Sequence, residues 1–244
     1  MSDSRHIGET LFSARSLAEY RAMFALTDDD LTGSILDCPG GAASFAATAA
    51  GAVTAVDPLY ALNPRLLADR ARADTVRGHE FLRDPARAAR FVWTFFADPA
   101  AHLAARSESA ELFGRDLAAR PERYIAAALP HLPFPDRSFD LALCSHFLFT
   151  YAERFDFEFH LAALLELARI SRGEVRVFPV LRHVDGRPYE HLDKVRALLR
   201  TAGVHSEQRR VEYEFQLGGD KMLVLHSPPD LDPDPRTDNR SFPE

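Results

Sequence analysis

Apolar residues recur along the chain with two different periods, and the alternation between those periods divides the sequence into elements. Residues 16–26 (SLAEYRAMFAL) set Leu17, Tyr20, Met23 and Phe24 at helical spacing, with Ser16 in place to cap the first turn. The acids Asp28–Asp30 end that element. A short apolar run, Ser34–Cys38, then meets Pro39-Gly40-Gly41, an alanine-rich helical stretch around Phe45, and a second apolar run at Ala52–Asp57. Strand, turn, helix and strand in that order predict a βαβ unit, hence a parallel sheet.

From 61 to 122 the period is helical, with arginines and acids alternating around the cluster FVWTFF at 91–96. A crossover between parallel strands needs only about a dozen residues, so this stretch predicts two or three inserted helices that roof the site. Further strands are predicted at Arg123–Ala128, Phe139–Ser145 and Glu174–Val180, and helices at 156–169 and 188–202. Arg209–Leu217, Gly218-Gly219 and Lys221–His226 predict a closing hairpin. Residues 228–244 are rich in proline and acid with little apolar content, which predicts a disordered tail after a single domain over 1–227.

Composition alters this picture little. The 244 residues carry a net charge of −7 and are 46% hydrophobic. Five acids against two arginines in the tail supply much of that charge, so the folded part is close to balanced. Lys194 and Lys221 are the sole lysines, and the acidic balance argues against a nucleic-acid partner. Cys38 and Cys144 are too few for a disulfide framework or a four-cysteine zinc site, and the histidines show no HExxH, so no metal is expected. No apolar run approaches ~18 residues, and the first residues lack an apolar signal core, so a cytoplasmic protein without a membrane partner is expected.

The strongest chemistry lies where the first strand turns into its helix. Gly40 and Gly41 let the backbone approach a ligand closely, and the helix that follows offers free N–H groups. Asp57 ends the next strand, where an acid accepts hydrogen bonds from the hydroxyls of a ribose. The turn is not G-x-G-x-x-G, which disfavours a dinucleotide pyrophosphate and a nicotinamide-dependent oxidoreductase.

Asp37-Cys38-Pro39-Gly40-Gly41, Asp57 and the block LPFPDRSFDLALCSHFLF at 132–149 together resemble a class I S-adenosylmethionine-dependent methyltransferase. The strings LDCPGGAASF, HFLFTYAERFDFEFH and YEFQLGGDKML resemble a bacterial methyltransferase-like group within it. The resemblance covers roughly residues 30–60 and 123–226 and leaves the insertion outside the shared core. It implies an α/β fold: a Rossmann-like, seven-stranded, mostly parallel sheet with an antiparallel C-terminal hairpin. It also implies that the first and fourth strands are neighbours, bringing Cys38 and Cys144 together, and that S-adenosyl-L-methionine is the cofactor. Methyl transfer to a small-molecule acceptor is the activity that follows, with a homodimer left open. Two positions depart from the family pattern. The glycine turn is shorter than G-x-G-x-G, and Ala127-Ala128-Leu129 stands where an acid often reads the adenine. A nucleoside-binding protein without catalysis therefore stays open.

Under this resemblance the cofactor would lie against Asp37, Pro39, Gly40, Gly41 and Asp57, with Ser145 and His146 at the end of the fourth strand. Pro58 and Leu59 would form an apolar wall for adenine, whose edge falls to backbone groups at Ala128 and Leu129. Arg21 suits a carboxylate and Tyr20 can close over the cofactor, against the alternative of a surface arginine and a half-buried tyrosine. His146 and Tyr151 are the candidate catalytic groups; the competing reading of His146 is a core imidazole bonded to a backbone carbonyl. Trp93 and Phe149 are candidate acceptor contacts, although such aromatics more often serve a core. Arg176, inside a strand, is expected to pair with Glu174 or another acid.

Overall fold

A computed structural model describes residues 11–226. Seven strands form one sheet in the order β3-β2-β1-β4-β5-β7-β6. They are β1 (Ser34–Asp37), β2 (Ala52–Val56), β3 (Tyr124–Ile125), β4 (Phe139–Ser145), β5 (Ser171–Phe178), β6 (His205–Arg210) and β7 (Lys221–His226). β1 runs parallel to β2 and β4, β2 to β3 and β4 to β5, whereas β7 is antiparallel to both β5 and β6. This is the Rossmann-like arrangement of class I methyltransferases, and the expected β1–β4 adjacency is present.

Alternation along the strands divides the core into two layers. Ile35, Leu141 and Leu143 face a cluster with Met23, Phe24, Phe45, Leu67 and Phe113. Leu36, Ala142 and Cys144 face the other, with Leu164, Leu167, Val195 and Leu199. The first layer is covered by α1 (Leu17–Phe24), the single turn α2 (Phe45–Thr48), and α3 (Pro64–Leu82) and α5 (Pro99–Ala119) of the insertion. α4 (Pro85–Ala88) is a short turn between those two long helices. α6 (Phe157–Ile170) and α7 (Leu192–Thr201) cover the second layer.

Local chemistry accounts for several boundaries. Ser16 accepts from the Glu19 amide while the Glu19 side chain accepts from the Ser16 amide, a reciprocal cap that starts α1. Asn63, Asp98 and Asp156 cap α3, α5 and α6 through their side chains, and Pro64 and Pro99 occupy first positions where no amide donor is needed. Arg176, buried within β5, meets Glu174 at 2.7 Å and Asp30 at 3.0 Å, the pairing expected of it.

Four expectations need correction. The helix around Phe45 is one turn long, because Gly51 and the start of β2 follow at once. β3 holds two residues rather than six, since the chain turns away at Ala126 and Ala128 pairs only with His131 in an isolated bridge. The FVWTFF cluster is not helical; Phe91 bridges to Gln216 instead. The strand predicted at Arg209–Leu217 lies at His205–Arg210, and 211–220 leaves the sheet as a lobe whose Phe215 and Gln216 meet the insertion. β5 and α7 are also displaced, to Ser171–Phe178 and Leu192–Thr201. The tail predicted at 228–244 lies outside the described residues.

Candidate functional site

The carboxyl ends of β1, β2 and β4 open onto a cleft of about 710 Å³, within the ~300–1,000 Å³ usual for small-ligand sites. In a mostly parallel sheet this edge is where ligands bind, because the strand order reverses between β1 and β4 and leaves a crevice there. Pro39, Gly40 and Gly41 form one wall; Asp57, Pro58 and Leu59 form another; Ala128 and Leu129 close one side, and Ser145, His146 and Tyr151 the other.

The glycine turn is tight for a physical reason. Gly41 has a left-handed φ of +53°, and a Cβ on Gly40 would stand 2.7 Å from the Tyr60 hydroxyl and 3.0 Å from the Ala55 methyl. That hydroxyl donates to the Gly41 carbonyl at 2.7 Å, locking the turn against the segment after β2. Asp57, buried at 8% exposure, accepts from the Leu59 amide at 2.9 Å and the Gly41 amide at 3.3 Å. Burial raises its carboxyl pKa, and those amide bonds oppose the rise.

Behind the turn, the Tyr20 hydroxyl lies 2.9 Å from both oxygens of Asp37, and its ring stacks on Phe45 at 4.4 Å. Burial pushes Asp37 up to about 8, against the Tyr20 hydrogen bond, so near neutral pH the carboxyl holds its proton. Tyr20 lines the cleft, and Asp37 supports it from beneath.

A second, inner chamber of about 110 Å³ shares Leu11, Ser13, Arg15, His146 and His183 with the cleft. Asp74, Thr75, Gly78, Phe81 and Leu82 of α3, and His102 and Arg106 of α5, form its insertion side. Phe178, Tyr213, Phe215 and Gln216 form the opposite side. Thus the insertion and the 211–220 lobe meet over the end of β5.

Buried ion pairs organise this chamber. Arg106 meets Glu19, itself fully buried, at 2.7 Å, and donates through Nε to His102 Nε2 at 3.2 Å. Burial brings His102 down to about 2, with the charges of Arg106 and Arg15 adding to the effect. Burial likewise takes His146 well below the usual imidazole range and lowers His183. His146 follows β4 with a left-handed φ of +47°, donates its amide to the Phe178 carbonyl at 2.6 Å, and places Nδ1 3.1 Å from Ser145 Oγ.

Four sequence-predicted residues fall outside both cavities, among them Asp37, which lies behind Tyr20 rather than in the cleft lining. Arg21 points outward to Asp28 at 2.7 Å, because successive helical residues are about 100° apart and Tyr20 occupies the inward face. Trp93 packs edge-on against His102 and Phe215 rather than lining the chamber. Phe149 belongs to the core layer beneath, stacked near His160 and Tyr189. In their places stand Arg15, His102, Arg106 and His183 and the cleft aromatics Phe147, Phe155 and Phe159. Nothing about Arg15 in the sequence marks it, since it precedes the first helix in irregular chain.

Cys38 and Cys144 lie one residue past the paired positions Asp37 and Leu143, side by side on β1 and β4. Burial raises both thiols, Cys144 to about 12, so they are packed, protonated groups. Among the described residues no cluster of histidine, cysteine and acid could hold a metal ion, and no helix is long and apolar enough to cross a membrane.

The sheet order, the glycine turn and the acid after β2 define a class I methyltransferase fold with its cleft at the usual edge. No family model matches the chain. Over 223 residues, covering 90% of this chain and 97% of the relative, it is 30% identical to the uncharacterized protein MJ0045 of Methanocaldococcus jannaschii, and it belongs to that protein's family. Solved structures similar to it include a Burkholderia thailandensis 1,6-didemethyltoxoflavin-N1-methyltransferase with bound 1,6-didemethyltoxoflavin and S-adenosylhomocysteine. That likeness is 15% identical, covers 82% of this chain and 72% of the other, and has a TM-score of 0.41. The N-methyltransferase NodS from Bradyrhizobium japonicum WM9 is 12% identical over 87% of this chain and 96% of its own, at a TM-score of 0.43. These likenesses are distant.

Proposed function

We propose that the protein binds S-adenosyl-L-methionine in the cleft and transfers its methyl group to a small-molecule acceptor in the inner chamber. The observation that carries this reading is the Gly40-Gly41 turn beside the buried Asp57, the two joined by a hydrogen bond where they line the cleft. The residues present fit the cofactor: Gly40 and Gly41 line the cleft without side chains, and the buried Asp57 offers an acceptor for ribose hydroxyls. Pro58, Leu59, Ala128 and Leu129 supply the apolar wall for adenine. Bound there, the cofactor supplies a methyl group on a sulfonium, transferable by in-line displacement.

The chain's own residues align and enclose. His146 and Arg15 stand where the two cavities meet, and α3 and α5 close the chamber from above. His146 is neutral but a weak base, because the burial that keeps it uncharged also disfavours its protonated form. Its part is to position the acceptor, with Tyr151 on the cleft side. Ligand binding without turnover is the competing reading, favoured by the apolar Ala127-Ala128-Leu129 where an acid often stands.

Calorimetry with S-adenosylmethionine, S-adenosylhomocysteine and NAD tests the reading. Both adenosyl ligands should bind and NAD should not; failure of both to bind removes the proposal. Asp57→Ala should weaken S-adenosylhomocysteine at least tenfold, about 1.4 kcal/mol, and unchanged affinity would remove Asp57 from the ribose. Enzymatic turnover, once an acceptor is supplied, separates a methyltransferase from a binding protein.

A further inference from the structure

The inner chamber contains polar groups that the protein leaves unsatisfied. Among the described residues, Arg15 Nε, His102 Nδ1 and His183 Nε2 are each buried without a hydrogen-bond partner, and all three residues line this chamber. Burying a polar group without a partner is unfavourable, so their convergence on a cavity marks them as groups that a ligand can satisfy.

Two of the three must be donors. Arg15 Nε carries a hydrogen at every accessible pH. His102 accepts from Arg106 through Nε2, at 3.2 Å, so the hydrogen of its neutral ring resides on Nδ1, the orphaned atom. A ligand satisfying both must present acceptors.

Charge gives the same answer. Glu19 faces two guanidiniums and is engaged by one, Arg106. Among the described residues Arg15 has no acid in ion-pair contact, while the carboxylate in the chamber wall, Asp74, is already held by Arg77 at 3.0 Å and the Phe12 amide at 2.8 Å. The backbone of Arg15 has a structural task, its carbonyl accepting from Ser44. Its guanidinium Nε is the buried, unpartnered atom at the chamber.

The remaining wall is flat and aromatic: Phe81, Phe91, Phe178, Tyr213 and Phe215, with the His102 ring parallel to Phe215 at 4.9 Å. The chamber holds about 110 Å³ and is open on one side, which limits its occupant to a small molecule.

Resting on the reading that the acceptor enters this chamber, we propose that the acceptor is a small, flat organic carboxylate. Its charged group lies against Arg15 and the His102 Nδ1 hydrogen, and its carbon skeleton lies among the phenylalanines.

Calorimetry on the full chain, with and without saturating S-adenosylhomocysteine, tests this with benzoate, its neutral isostere benzamide, and 5′-methylthioadenosine, which lacks a carboxylate. Benzoate should bind the wild-type protein at least tenfold more tightly than benzamide, and equal affinities overturn the proposal without any variant being made. Arg15→Leu should abolish that preference, and Arg15→Lys should restore part of it. If Arg15→Leu instead weakens S-adenosylhomocysteine but not 5′-methylthioadenosine, the arginine holds the cofactor's carboxylate and the proposal falls. Should no adenosyl ligand bind at all, the methyl-transfer reading fails, while the benzoate and benzamide comparison still decides the chemistry of the chamber.

Discussion

Arg106→Leu is expected to destabilise the protein by about 3–5 kcal/mol, the cost of leaving one partner of a buried ion pair uncompensated. Glu19 is fully buried, and its carboxylate serves four groups: Arg106 at 2.7 Å, the Ser16 amide at 3.1 Å, the Tyr213 hydroxyl at 3.3 Å and the Ser16 hydroxyl at 3.4 Å. With the guanidinium gone, a charge without water or a counter-ion in contact remains between α1 and α5. Arg106 also donates to the Ala14 carbonyl at 2.5 Å and to His102, so the N-terminal segment and the chamber wall lose an anchor together. Urea unfolding at pH 7 measures the effect. Neutralising the survivor should recover part of it, so Arg106→Leu/Glu19→Gln should be more stable than Arg106→Leu alone. A single-variant cost under about 1 kcal/mol, the range of exposed pairs, would show that the pair is not structurally important.

The second large effect is a pH dependence centred on Asp37. The folded protein holds this proton up to about pH 8, whereas the unfolded chain releases it near pH ~4. Between those values folding takes up a proton, so stability is greatest below the unfolded pKa and falls as pH rises through the folded one. Each unit of displacement corresponds to about 1.4 kcal/mol, which makes the loss a few kcal/mol across the window. Asp37→Asn keeps an acceptor for the Tyr20 hydroxyl and removes the titration. Denaturation at pH 5, 7 and 9 should therefore show the wild type losing ground to Asp37→Asn as pH rises. Asp57 is shifted in the same direction, so the difference between the two proteins is the quantity to follow. Parallel profiles would mean that Asp37 is ionised in the fold.

Elements whose local chemistry and burial agree were legible in the sequence. β4 occupies the predicted Phe139–Ser145, where a turn precedes an apolar run buried in the middle of the sheet, and Asp156 marks the start of α6 by capping it. β6 was not legible, and the reason is visible in its composition. HSEQRR is an exposed edge strand with no apolar face to betray it. Just beyond it, VEYEFQL alternates as a half-buried strand should, yet Val211, Tyr213 and Phe215 turn their apolar sides to the first core layer and the chamber instead. Period 2 reports a surface to be buried, not the partner that buries it.

The site divides along the same line. The glycine turn, Asp57 and His146 sit at ends of regular strands, where position in the motif fixes position in space. Arg15, His102 and His183 come from irregular chain, an inserted helix and a loop, and only tertiary packing brings them together. Arg21 illustrates the limit: one residue of helical rotation separates the cleft from solvent.

The placement of β7 has a consequence for how the chain is made. β7 follows β6 in sequence but lies between β5 and β6 in the sheet. During synthesis, β5 keeps a bare hydrogen-bonding edge and β6 has no sheet to join until Lys221–His226 has left the ribosome. An interrupted chain ending before that point would present an open strand to its neighbours. The nascent protein therefore depends on a late insertion that completes the sheet and brings the 211–220 lobe over the chamber in one event.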